Sequence, residues 1–387
     1  MDELKCSGTN ALTGDEIELK GDTKITQMRL THMRGVHSTS YVSPGFVDIQ
    51  VNGFAGVDYN SGSTSHEEIA RSIQVLFSTG VSRFFPTVIT GAPEAMVAAL
   101  KNLSKAKDNL PEGCAIEGFH VEGPHICAED GPRGAHPRQW VRKPDVDEYK
   151  RWQEATEGRV KLVTLAPEWP EAPDYIEALV KDGITVAIGH TGADREQIQT
   201  AVSAGASLST HLGNGAHATL PRHPNYIWEQ LAEDRLWADF IVDGIHLSES
   251  FTKTAVRAKG VHRSLLVTDA SSPAGAKPGR YKLGDQVVDL TADQRVVLAG
   301  QTRLAGSALR MDAAVSNLMR ICGLSINDAI RMATVNPAIV GKVSGRTKGL
   351  VLGERADIIE FEVLAETKTI RVMKSFINGN LVYQAHS

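Results

Sequence analysis

A chain of 387 residues that is 42% apolar and 22% charged has the make-up of an ordinary folded protein, with room for one large domain and a smaller appendage. Its net charge of −5, its pI near 6.2 and the lack of any Lys/Arg-rich block exclude a nucleic-acid-binding footprint. The polar opening MDELKCSGTN, the absence of an apolar run long enough to span a bilayer, and four scattered cysteines (Cys6, Cys114, Cys127, Cys322) without a CxxC pair together predict a soluble cytoplasmic protein with reduced thiols.

Residues 1–43 are short, polar and strand-like, with turn signals at Gly8, Gly14, Gly21 and Gly35, the pattern of a small β unit. From residue 44 the apolar runs predict strands at 45–51, 83–89, 115–121, 160–165, 184–189, 207–210, 240–243 and 265–268. Helical spacing fills the intervals, for example at 66–78, 93–103, 194–203, 226–231 and 248–259, and two more helices follow at 309–322 and 326–333. Eight βα units over residues 44–349 predict a (β/α)8 TIM-type barrel. An open doubly wound sheet is the alternative, but no GxGxxG turn follows the first strand. Beyond the barrel, residues 355–363 and 369–384 alternate in β fashion around the hairpin signal Asn378-Gly379. The two ends, 1–43 and 350–387, are therefore expected to pair into one small β-sandwich domain.

The chemistry gathers at strand ends. Three apolar runs each climb to a histidine, at His190, His211 and His246. Buried parallel strands are near-continuously apolar, so a histidine at each carboxyl end is out of character for structure alone. The third strand runs out through His120 and Glu122, and the eighth ends at Asp269. In a barrel these ends converge on one face. Glu122 with His190 and His211 makes the His2Glu set of a catalytic zinc, which leaves one position for water and lowers that water's pKa to about 7. A lone histidine is more often structural than ligating; a glutamate, three histidines and an aspartate in consecutive strand-end register is another matter. His120 shares a strand face with Glu122 and is read as a packing residue.

Taken in order, PGFVDIQVNG (44–53), HVEGPHI (120–126) with GAH (134–136), TLAPE (164–168), GHTGA (189–193), THLGN (210–214), DGIHL (243–247), TDA (268–270) and LAGS (304–307) resemble the N-acetylglucosamine-6-phosphate deacetylase family of the amidohydrolase superfamily. That resemblance implies a (β/α)8 barrel with a sandwich built from both termini. It implies Glu122, His190 and His211 as ligands of a divalent metal ion, with zinc first and Fe2+ or another divalent ion as alternatives. It implies Asp269 as general base, with support of a histidine as its bland alternative, and His246 as the contact of the acetamide carbonyl. His136, Asn214 and the Gly215 backbone match positions that hold the sugar phosphate, and Arg222 matches an arginine that reaches the phosphate across a homodimer interface. Gln50 and Asn52 stand where many superfamily members carry His-x-His, and residues 164–167 offer no lysine. Amides are poor zinc ligands beside imidazole, so one metal per chain is expected.

The reaction implied is attack of water on the amide carbon while Asp269 takes a proton, then return of that proton to the amine with release of acetate. The expected partner is a small-molecule N-acetyl amino sugar or its phosphate. Residues 215–232 read GAHATLPRHPNYIWEQLA, with Arg222-His223-Pro224 in place of the family's Arg-Glu-Pro-Gly-like turn, which leaves related N-acyl sugars open. Two other readings stay open: hydrolysis of a different amide, such as a cyclic imide or N-acyl amino acid, and a non-catalytic scaffold.

Overall fold

The computed structural model describes residues 4–31, 40–364 and 366–386. The first residues of the expected N-terminal unit, and its turn at Gly35, lie outside the described residues. The central sheet has eight parallel strands in sequence order. They are β1 (Phe46–Val51), β2 (Val81–Ile89), β3 (Phe119–Glu122), β4 (Val160–Leu165), β5 (Thr185–Ile188), β6 (Leu208–Ser209), β7 (Trp237–Phe240) and β8 (Ser264–Leu266). Beyond the end of β1, Val51 bridges Ala270 in parallel, and the Asn52 amide donates to the Ala270 carbonyl at 2.7 Å, so the sheet closes into a (β/α)8 barrel.

The strands are apolar on both faces because both are covered: side chains fill the barrel and helices cover its outside. All six residues of β1 are buried. The helix His66–Phe77 shows how the outer layer is specified. Ser65 and Glu68 form a capping box, and Ile69, Ile73, Leu76 and Phe77 recur at helical spacing and are buried. Each such side chain contributes roughly 1.5–3 kcal/mol by leaving water. The helix Arg195–Ala204 begins on the Asp194 cap and stops at Gly205, whose φ of +113° no side-chain-bearing residue adopts readily.

Two expectations need correction. The seventh strand lies at Trp237–Phe240, not 240–243; Ile241 and Val242 remain buried, but Asp243 accepts the amides of Ile245 and His246 and turns the chain into a loop. Residues 111–115 form a 3-10 turn opened by Pro111, so the third strand starts only at Phe119. An antiparallel three-stranded sheet at Gly279–Leu283, Gln286–Leu290 and Val296–Leu298 follows β8 and was not anticipated. Its strands are short and half-exposed, with a small core of Leu283, Val288, Leu290, Val296 and Ala305.

Both termini build one seven-stranded sheet, joined where Ser40–Pro44 pairs antiparallel with Ile358–Leu364. The sheet folds back on itself: the Ile25 amide donates to Glu354 at 2.9 Å and the Ala356 amide to Thr23 at 3.0 Å. The resulting sandwich encloses a second core that includes Leu4, Ile17, Leu19, Val42 and Ile358. The hairpin at Asn378 (φ 48°) and Gly379 (φ 74°) has the paired positive φ values of a type I′ turn. Sandwich and barrel are riveted by Asp357, which accepts from Arg83 at 2.8 and 2.9 Å and from Arg346 at 2.7 Å. Among the described residues no helix is long and apolar enough to cross a membrane.

Candidate active site

At the carboxyl ends of the barrel strands lies a cavity of about 140 Å³. Its polar wall is Asn52, Glu122, His136, His190, His211, Asn214, His246 and Asp269. Ile89, Ile241, Leu283 and Leu304 supply an apolar wall, the last two from the segment after β8.

Glu122 closes β3 and is buried. Its Oε1 lies 3.0 Å from His190 Nε2 and 2.9 Å from His211 Nε2, and the two nitrogens are 3.1 Å apart. His190 Nδ1 sits 2.8 Å from the Pro132 carbonyl. A carbonyl can only accept, so Nδ1 carries the hydrogen and Nε2 keeps its lone pair for a ligand. His211 Nδ1 is buried without a partner. A tetrahedral ion with ligand distances of about 2.0–2.2 Å needs ligand edges of roughly 3.3–3.6 Å, a few tenths more than the edges here. The donor set therefore fits a divalent cation. Electrostatics agree. Burial opposes charge on Glu122 and His211 alike, yet each is held in its charged form by the other, with Glu122 well below the usual carboxylate range and His211 pushed up to about 9. A proton on His211 stands where a cation's charge is called for.

The backbone is strained where these groups sit. His190 (φ 51°), His211 (φ 30°) and Asp269 (φ 48°) all lie in the left-handed region, each at a cost of order 1–3 kcal/mol. Each follows the end of its strand and turns sharply over the barrel mouth, which aims all three side chains at one cavity. Gly215 (φ 57°) completes the packing: a Cβ there would stand 2.7 Å from His190 Nδ1.

Asp269 Oδ1 accepts from Asn52 Nδ2 at 2.7 Å and from Gln50 Nε2 at 3.1 Å. Burial and the Glu122 charge push its carboxyl up to about 6, which still leaves it mostly ionised at neutral pH. His246 stands on the loop after β7, its Nδ1 2.6 Å from Asp243 Oδ2, and its Nε2 has no hydrogen-bond partner among the described residues. His136 packs edge-on against His190 with ring centroids 4.4 Å apart and holds Thr90 Oγ1 at 2.8 Å through Nδ1. Ligand atoms of Glu122, His136 and His190 all fall within 4.8 Å of one another, so His136 belongs to the cluster as well as to the wall. Burial and neighbouring His190 push it down to about 3, so its ring is neutral.

The sequence profile of the amidohydrolase family matches residues 41–382. The chain belongs to the amidohydrolase family. This amidohydrolase is 32% identical, over 93% of its length and 92% of the relative's, to N-acetylglucosamine-6-phosphate deacetylase of Lysinibacillus sphaericus. It is 34% identical to the Danio rerio enzyme of that name, over 89% of this chain and 84% of the relative. Its fold superposes with a TM-score of 0.89 on an aspartate-to-alanine mutant of N-acetyl-D-glucosamine-6-phosphate deacetylase from Mycobacterium smegmatis, solved in complex with N-acetyl-D-glucosamine-6-phosphate; identity is 27%, covering 99% of this chain and 100% of the other. The ordered motifs had pointed to the same family.

Of the residues singled out in the sequence, the amidohydrolase brings Glu122, His136, His190, His211, Asn214, Gly215, His246 and Asp269 to one cavity. Arg222 it does not: that side chain is exposed, outside the cavity wall, with no hydrogen bond or ion pair to the described residues. His120 is tied to Thr164 Oγ1 at 2.8 Å and does not line the cavity. What sequence reasoning missed is the support: Asp243 behind His246, Thr90 behind His136, the Pro132 carbonyl behind His190, and the two amides on Asp269. Only the amides carried a signal, since Gln50 and Asn52 had been noticed as non-ligands.

Proposed function

We propose that this amidohydrolase removes acetate from N-acetylglucosamine 6-phosphate, or a closely related N-acetyl amino sugar. The observation that carries the reading is the convergence of Glu122, His190 and His211 within 3.1 Å, with Asp269 in the same cavity. The relatives' shared activity supports the substrate class. Glu122, His190 and His211 would hold one divalent ion, and two imidazoles with one carboxylate favour zinc. When bound, such an ion supplies the Lewis acidity that makes water nucleophilic near neutral pH and polarises a carbonyl.

The rest falls to the protein. Asp269 Oδ2 accepts a proton from the attacking water as the new C–O bond forms. It then returns that proton to the nitrogen as the C–N bond breaks, leaving acetate and an amine. With Nδ1–H given to Asp243, His246 offers Nε2–H as the doubly protonated ring, whose charge faces the carbonyl oxygen as negative charge builds there. His136 closes the cavity beside His190, and Asn214 and the Gly215 backbone face the distal part of the sugar. The chain's free cysteines support a reducing, cytoplasmic setting.

The charge of the cavity limits what can meet a phosphate. Among the described residues lining the cavity none is Lys or Arg. A phosphate would need a cation from elsewhere, and Arg222, exposed and unpaired, supplies it only if a second copy of the chain sets it into this cavity as a homodimer. Metal analysis with acetate release from a panel separates these readings. One equivalent of metal and acetate from phosphorylated N-acetylglucosamine are expected. Turnover restricted to the free sugar would remove the phosphate, turnover of another amide would remove the sugar, and neither metal nor turnover would overturn the enzyme reading.

A further inference from the structure

We propose that Gln50 and Asn52 form an amide clamp that aims Asp269, so that Oδ2 alone moves the proton. The inference rests on the reading of Asp269 as the proton carrier. Both side chains spend an N–H group on the same atom, Oδ1, at 3.1 and 2.7 Å. Oδ2 accepts nothing from the described protein and belongs to a residue lining the cavity. The clamp is itself fixed. The Asn52 amide donates to the carbonyl of Ala270, the neighbour of Asp269, at 2.7 Å, while the Asn52 carbonyl takes the Tyr59 amide at 3.1 Å.

Folding alone does not explain the pair. Gln50 and Asn52 are 1% and 2% exposed, and both amide oxygens, Gln50 Oε1 and Asn52 Oδ1, are buried with no hydrogen-bond partner among the described residues. A buried unmet acceptor costs about 1–3 kcal/mol, which offsets what each N–H group gains on the Asp269 carboxylate. What the pair secures is direction. Asp269 sits on strained backbone, and a carboxylate free to turn would present either oxygen to water. With Oδ1 doubly occupied, the proton from water goes to Oδ2 as the C–O bond forms, and leaves from Oδ2 to nitrogen as the C–N bond breaks. A misplacement near 1 Å at such a group costs on the order of 100-fold.

The test uses Asn52→Leu and Gln50→Met in the full chain, each with kcat, KM, metal content, thermal midpoint and a crystal structure. The expected result is bound metal, KM within about twofold of the parent and a thermal midpoint still above the assay temperature, with kcat down about 10- to 100-fold and the Asp269 carboxylate turned from its parent orientation. Unchanged kcat, or a loss confined to KM or metal content, would overturn the clamp. Should the parent release acetate from no substrate, the deacetylase reading falls; an Asp269 carboxylate unmoved in the Asn52→Leu crystal would then sink the clamp separately. If Asn52→Leu does not fold, Gln50→Met decides by the same measurements.

Discussion

At the scale of single residues the site separates holding from reacting. Glu122, His190 and His211 are fixed against one another and against the Pro132 carbonyl, whereas Asp269 keeps one oxygen uncommitted. Asp269→Asn preserves shape but cannot take a proton. It is expected to keep fold and metal content while kcat falls about 10²- to 10⁴-fold, measured by acetate release beside metal analysis. Retained turnover would remove Asp269 from the reaction.

At the scale of elements, the strand ends do the positioning, and the loops behind them are packed too closely to vary. Gly215 follows β6 on the loop that carries Asn214, and His190 lies directly beneath it. In Gly215→Ala the new methyl meets the His190 ring at about the 2.7 Å now open to it, on backbone with φ 57° that alanine resists. The ring has little room to yield, because the Pro132 carbonyl holds the nitrogen it would meet, Nδ1, and Nε2 lies 3.0 Å from Glu122 Oε1. Metal affinity is expected to fall by about 10- to 100-fold, read by competition with a chelator, with the fold intact by circular dichroism. Affinity equal to the parent would show that the loop, not the ring, gives way.

At the scale of the whole molecule, the sandwich and barrel share one buried charge. Burial alone would raise the Asp357 carboxyl, but Arg346 and Arg83 outweigh it and hold it well below the usual carboxylate range. A depressed native value means that the stabilisation is complete above the unfolded value near 3.9 and is lost as pH falls below it. Asp357→Asn should therefore destabilise by about 3–5 kcal/mol at pH 7, since it leaves the buried Arg346 uncompensated and Arg83 with only Glu117 at 3.8 Å. Its stability should also fall less steeply than the parent's below pH 4. Urea unfolding across pH checks both; equal slopes below pH 4 would mean that other carboxylates carry the acid limb.

The sequence by itself determined the barrel, the sandwich of both termini and the set Glu122, His190, His211 and Asp269, because strand periodicity is local and polar residues at apolar strand ends stand out. His246 was found although its strand was drawn three residues late, since the apolar run through Ile241 and Val242 continues past the last hydrogen-bonded residue. The three-stranded sheet after β8 escaped notice because its strands are short and its core small. Tertiary structure alone decided which atoms face one another: that His136 packs on His190, that Asp243 orients His246, and that Gln50 and Asn52 turn their N–H groups to Asp269. Those contacts join residues up to 219 positions apart, and no local pattern records which hydrogen a distant side chain will donate.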